Sequence, residues 1–229
     1  MATGKFLVAL GAAFSLSACN MVVSEKPWFD TPSGPQLKDG LWANLNRADC
    51  PLDPAAPIAE WPKCAEPMLI KGNVYSGPPT ESDSPADAAR LDPAKWQPLQ
   101  HVLVDGVPQI DQILLSIQSR GGAEGADNTP PKTLYLYIAL NPLAQDAEGR
   151  ITETRRWPIL CGPMPAKPKK RNGVPNFTTD RPFKGIRIDG EACVAGDVAA
   201  LRGAAVQSEV AAGEGGFTFV TSRWIRDGL

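Results

Sequence analysis

Residues 133–140 read Thr133-Leu134-Tyr135-Leu136-Tyr137-Ile138-Ala139-Leu140. Leu134, Leu136, Ile138 and Leu140 recur with period two, so on an extended chain they share one face, and Tyr135 and Tyr137 take the other. The alternation predicts a strand with one face in a core. The two tyrosines predict partial cover of the second face by another layer. Asn141-Pro142 is expected to end the strand, and residues 152–161 to return as its neighbour, with Arg155 and Arg156 marking an exposed stretch.

Working outward, residues 101–107 place Asp105-Gly106 between Val104 and Val107, the signature of a tight hairpin. Pro108 restricts that pairing to an edge or a short hairpin. Residues 110–119 fit either a strand or a short helix, because Ile110, Ile113, Leu114 and Ile117 also fall at helical spacing. Residues 40–43, 68–75, 185–188 and 217–225 read as further strands. Asp197 stands where it would cap a helix running to about Val210, with Val198, Leu201 and Ala205 at the required spacing. Residues 76–95 and 120–132 are polar loops, the first with a helical turn near 86–90. Residues 163–172 are expected to form no regular structure. The chain shows no internal repeat. These features predict an α+β domain built around an antiparallel, β-rich sheet with one or two helices.

The 229 residues include 23 Lys and Arg against 25 Asp and Glu, a formal net charge of −2. Such a balance creates no overall field toward nucleic acid or an acidic surface. With 21 glycines and 23 prolines, the chain is turn-rich without reaching disordered composition. After the first residues, no run of 18 apolar residues occurs.

The amino terminus has a three-part layout: Lys5, an apolar run over residues 6–14, then Leu16-Ser17-Ala18-Cys19. The apolar run is about half of the ~20 residues that a spanning helix needs. The tetrapeptide resembles the lipobox of bacterial lipoproteins. That resemblance implies cleavage before Cys19, a diacylglyceryl group on its thiol and an acyl chain such as palmitate on the new amino group. It covers only the first 20 residues or so. Asn20 follows the cysteine where enteric inner-membrane lipoproteins carry aspartate, which implies the periplasmic face of the outer membrane. The expected organisation is a signal peptide at 1–18, a lipidated tether at 19–40 and one globular domain at 41–229. In the tether, Trp28 and Phe29 either enter the membrane interface or dock on their own domain.

Four cysteines remain: Cys50, Cys64, Cys161 and Cys193. An even number in an exported chain predicts two disulfides, of three possible connectivities. Cys50–Cys64 and Cys161–Cys193 are favoured because each closes a short segment within one half of the chain. Structural zinc prefers closer cysteine spacings than any here.

No nucleophile elbow, paired-histidine metal motif or phosphate-cradling loop is found, and no cofactor or metal is expected. The single histidine, His101, reads as a structural or surface residue. Gly121-Gly122-Ala123-Glu124-Gly125 lacks the lysine of a phosphate loop. The most distinctive charge feature is Lys167, Lys169, Lys170 and Arg171 among three prolines. Four cations on an extended segment suit phosphates or carboxylates of lipopolysaccharide, phospholipid headgroups or peptidoglycan, against the alternative of a solvated loop. The expected role is a monomeric, non-catalytic envelope lipoprotein that binds a protein partner or cell-wall component. One alternative is an anchored hydrolase using acids such as Asp105, Asp111 or Asp189. Another is a periplasmic inhibitor presenting residues 163–172.

Overall fold

In the computed structural model, the alternating strands close on themselves. The structure describes residues 20–47, 49–78, 92–117, 132–165, 167, 169–171, 174–189, 192–211 and 219–229. In chain order the strands are Val23–Ser24 (β1), Gly40–Leu45 (β2), Ala65–Lys71 (β3), Val74–Gly77 (β4), Gln97–Val104 (β5) and Gln109–Ile117 (β6). Lys132–Gln145 (β7), Ile151–Pro158 (β8), Lys169–Arg171 (β9), Val174–Asn176 (β10), Ile186–Asp189 (β11) and Ala192–Ala195 (β12) follow. The helix Val198–Ala211 (α1) then precedes the last strand, Val220–Arg226 (β13).

From β2 to β8, each strand pairs antiparallel with the next. After the excursion through β9–β12 and α1, β13 enters between β8 and β2. The result is an eight-stranded antiparallel barrel, a more specific form of the antiparallel, β-rich sheet that the α+β reading expected. Closure leaves these strands no free edge. β1 continues the lane of β8: it pairs with β7 at Leu136 and Tyr135, just beyond the last β8 partner at Ile138.

The two ends of the barrel differ because the connections differ in length. At one end lie short turns, Gly72-Asn73, 105–108 and 146–150. Gly72 takes φ +55, which costs glycine little. At the other end the strands are joined through 46–64, 78–96, 118–131 and the long excursion.

Three apolar groups follow from this layout. Inside the barrel, Leu37, Trp42, Met68, Ile70, Leu103, Leu140 and Ile151 fill the short-turn end. Outside it, α1 lays Leu201, Ala204 and Ala205 against Val104, Ile110, Ala139 and Trp157. The Trp157 indole donates to the Ala205 carbonyl at 3.0 Å, and Ser208 Oγ accepts from the Leu160 amide at 2.8 Å. On a third side, the loop closed by Cys50–Cys64 packs Trp61 over Leu41, Ala43 and Leu45.

Both favoured disulfides are present, Cys50–Cys64 and Cys161–Cys193. Asp197 caps α1, its carboxylate accepting from the Ala200 amide at 2.7 Å. Tyr137 is fully buried on the outer face, under the expected second layer. Residues 110–117 are strand, not helix, since pairing with β5 and β7 on both sides satisfies the backbone.

Other expectations need correction. The single strand at 68–75 is two strands folded at Gly72-Asn73. β7 does not stop at Asn141-Pro142; it continues to Gln145 through shifts in register around Ala144. The segment 163–172 is not wholly irregular, because β9 pairs with β10. The tether is the largest correction, since residues 20–40 are packed along the barrel. Asn20 and Val22 are fully buried, Leu37 joins the interior, and Gln112 Oε1 accepts from the Trp28 and Phe29 amides at 2.7 and 3.1 Å. Trp28 and Phe29 thus dock on their own domain. The helical turn expected near 86–90 lies outside the described residues, as do Cys19, the signal segment and Gly121–Gly125.

Candidate site in the barrel interior

Strand alternation sends one side chain in two inward, and four of these meet halfway down the barrel. They are Tyr75 on β4, His101 on β5, Asp111 on β6 and Arg156 on β8. Asp111 is fully buried and accepts three hydrogen bonds: from the Tyr75 hydroxyl at 2.5 Å, His101 Nδ1 at 2.9 Å and Arg156 Nη2 at 2.7 Å. Tyr75 stacks on the His101 ring with centroids 3.8 Å apart, and the Arg156 guanidinium lies 5.2 Å from the Tyr75 ring. His101 Nε2 is 3.3 Å from the Gly72 carbonyl, so the ring spans from the carboxylate to the short-turn end.

Burial acts on each group and its neighbours then decide the outcome. Burial alone would raise the Asp111 carboxyl, but the His101 hydrogen bond and the Arg156 charge hold it below the usual carboxylate range. Burial pushes the Tyr75 hydroxyl well above its ordinary value. Burial disfavours the Arg156 charge, yet Tyr75 and Asp111 raise the guanidinium's pKa above its ordinary range. An Asp–His pair of this kind can orient an imidazole for proton transfer. Here the far nitrogen faces a backbone carbonyl, not a nucleophile, so the geometry fits a rigid polar brace.

Above the brace, toward the long-loop end, the inward positions are smaller. They include Gly77 and Asn44, whose Oδ1 accepts from the Ser222 hydroxyl at 2.6 Å. On the short-turn side of Arg156, opposite Pro142, Thr154 is 0% exposed, yet its hydroxyl has no hydrogen-bond partner. Arg156 Nε, two residues along the same inward face, is also buried without one. Further toward the long-loop end stand Ile113, Leu136 and Ile138, which are only half-buried, and Leu99, which is exposed.

Of the acids named from sequence, only Asp111 belongs to this group. Asp105 is exposed in the β5–β6 turn and Asp189 is exposed at the end of β11. Lys167 is exposed, and Lys169, Lys170 and Arg171 form β9 in a separate two-stranded ribbon. Arg156, expected on an exposed stretch, points inward with its side chain 11% exposed. No protein-family model, curated protein or solved structure matches this chain. Among the described residues, no cluster of His, Cys, Asp and Glu is placed to hold a metal ion.

His101 and Asp111 carried a faint signal in the sequence. A hairpin folded around 105–108 pairs 101 with 113 and 103 with 111, which places both polar residues on its apolar, inward face. Tyr75 reaches His101 through the β4–β5 pairing, across the connection 78–96, and Arg156 reaches Asp111 across the barrel interior, so no local pattern points to them.

Proposed function

We propose that the protein is a lipid-anchored protein of the bacterial cell envelope, held through Cys19 on the periplasmic face of the outer membrane and acting by binding. The environment of Asn20 is the observation that carries this reading. Asn20, the residue that follows the lipobox cysteine, is already buried in the domain. Asn20 takes φ 61, a left-handed conformation that asparagine tolerates better than most residues. Its side-chain amide donates to the Gly162 carbonyl at 2.7 Å and its Oδ1 accepts from the Thr179 amide at 3.0 Å. Its own carbonyl accepts from the Cys161 amide at 2.9 Å. Cleavage before Cys19 would leave each of these contacts in place. Lipid on Cys19 would hold the domain against the bilayer with no spacer. Two disulfides support an oxidising compartment.

The basic ribbon belongs to the same side of the molecule. Gly162 and Thr179, which bracket β9 and β10, are both bonded to Asn20. Lys167, Lys169, Lys170 and Arg171 thus stand on a loop rooted at the anchor point. Each such cation near an anionic leaflet contributes about 1 kcal/mol. Headgroup phosphates are the favoured contact of this ribbon, ahead of a protein partner or wall fragment.

Metabolic labelling with palmitate tests the anchor. Label is expected on the wild-type chain and absent from a Cys19→Ala chain. A wild-type chain that carries no lipid, or whose mature amino terminus lies elsewhere, would overturn it. In-cell crosslinking of the chain with Lys167, Lys169, Lys170 and Arg171 changed to serine tests the ribbon. Its contacts should fall away together with the four charges.

A further inference from the structure

We infer that residues 177–188 form a second lipid-binding surface beside the basic ribbon, one that lies on an anionic phospholipid bilayer. Three residues of this segment are held by the domain. The Thr179 amide donates to Asn20 Oδ1 at 3.0 Å, and the Phe183 amide donates to the Cys161 carbonyl at 2.7 Å. Ile186 is buried against the outer core. The residues set between and beside these attachments include three cations, Arg181, Lys184 and Arg187, and all three are exposed. Phe177 and Ile188, which stand at the ends of the segment, are large apolar side chains left 37% and 41% exposed.

Charge defines the first property of the partner. Residues 163–189 hold seven Lys and Arg against two Asp, in a chain whose formal net charge is −2. Positive charge is therefore concentrated on this excursion from the barrel, and such a field attracts an anionic surface. Arg181 meets Asp180 only across 3.9 Å, with its side chain 81% exposed, and an exposed pair of that kind neutralises little. Phe177 and Ile188 define the second property. An aromatic and a branched aliphatic side chain among basic residues gain by entering the boundary between headgroups and acyl chains. A soluble polyanion would leave both in water. The position agrees with a bilayer. The Arg181 carbonyl lies against Gly162 with no room for a Cβ between them, and Gly162 accepts from Asn20. The surface thus begins beside the residue that follows Cys19.

The inference rests on the anchor proposed above for the bilayer it meets, but its test does not use the lipid. The full chain carrying Cys19→Ala, which has no thiol to acylate, is sedimented with vesicles of mixed phosphatidylglycerol and phosphatidylcholine, or of phosphatidylcholine alone. The neutral vesicles report what the apolar run at 6–14 contributes. Binding to the anionic vesicles is expected to be stronger and to weaken as salt is added. Changing Arg181, Lys184 and Arg187 to serine is expected to weaken it about a hundredfold, at about fivefold per cation. Phe177→Ser is expected to weaken it severalfold. Changing Lys63, Lys71 and Lys95 to serine removes the same charge from β3 and from the loops before β3 and β5, and is expected to change binding little. Equal binding to both vesicle types, equal losses from the two triple changes, or no loss from the change at Arg181, Lys184 and Arg187 would each overturn the surface. Palmitate labelling reads the anchor separately, so either result stands without the other.

Discussion

Arg156 on β8 donates to Asp111 on β6 across 2.7 Å, joining through the barrel's interior two strands that are not neighbours in the sheet. The bond crosses the lumen instead of following it. Breaking such a buried pair strands a charge, which costs about 3–5 kcal/mol. Arg156→Met and Asp111→Asn should each lower the urea midpoint by that order. The double change Asp111→Leu with Arg156→Met should recover most of the loss, because a buried pair can be replaced by apolar groups of similar volume. A double variant as unstable as the singles would show that the brace does more than balance charge.

The same carboxylate sets the acid limb of stability. Asp111 is held below its ordinary value of 3.8 in the fold. A depressed carboxyl contributes stability that is fully present above its unfolded value and is lost as pH falls through the folded one. Urea midpoints should therefore decline as pH drops below about 4, and the Asp111→Asn chain should show a shallower decline from its lower starting point. Parallel declines for the two chains would assign acid sensitivity to other groups.

Two of the three tyrosines are predicted to resist alkali. Burial first of all pushes Tyr137 up to about 12, and it pushes Tyr75 in the same direction. A raised group contributes stability that is fully present below its unfolded value, about 10, and is lost as pH rises toward the folded one. Tyrosinate absorbance of the native protein should lag that of the denatured chain above pH ~10. Tyr137→Phe should shorten the lag without abolishing it, because Tyr75 remains.

The disulfides close segments of 14 and 32 residues. Loop-closure entropy assigns about 3 kcal/mol to the first and about 4 kcal/mol to the second. Paired Cys→Ala chains compared by thermal unfolding should fall in that order. The Cys161–Cys193 loss should be felt more, since both residues are fully buried between the barrel and α1.

Strands with clean alternation were legible beforehand. Residues 133–140 announced β7 because Leu and Tyr alternate without interruption, and Asp197 announced α1 because a cap residue precedes the apolar spacing. The β3–β4 hairpin was hidden, since the apolar residues on either side of Gly72-Asn73 read as one run. Closure was hidden too, because β13 finds its two partners only after β9–β12 and α1 intervene. The tether was misread for a related reason: turn formers at 31–35 give no period, yet their backbone can still be bonded to a neighbour, as Ser33 is to Leu103. Of the interior quartet, only the His101 and Asp111 half lay within reach of a local argument.

Barrel closure also governs the order in which the chain can fold. Made amino terminus first, the chain presents β2 to β8 as an incomplete meander, with β2 and β8 as unpaired margins. Those margins stay able to recruit foreign strands until residues 220–226 emerge, after β9–β12 and α1. The slow event is therefore a late insertion between partners far away in sequence, of the kind that high contact order retards. A chaperone that shields the two margins would act in that interval, and a chain truncated after Ala211 would never leave it.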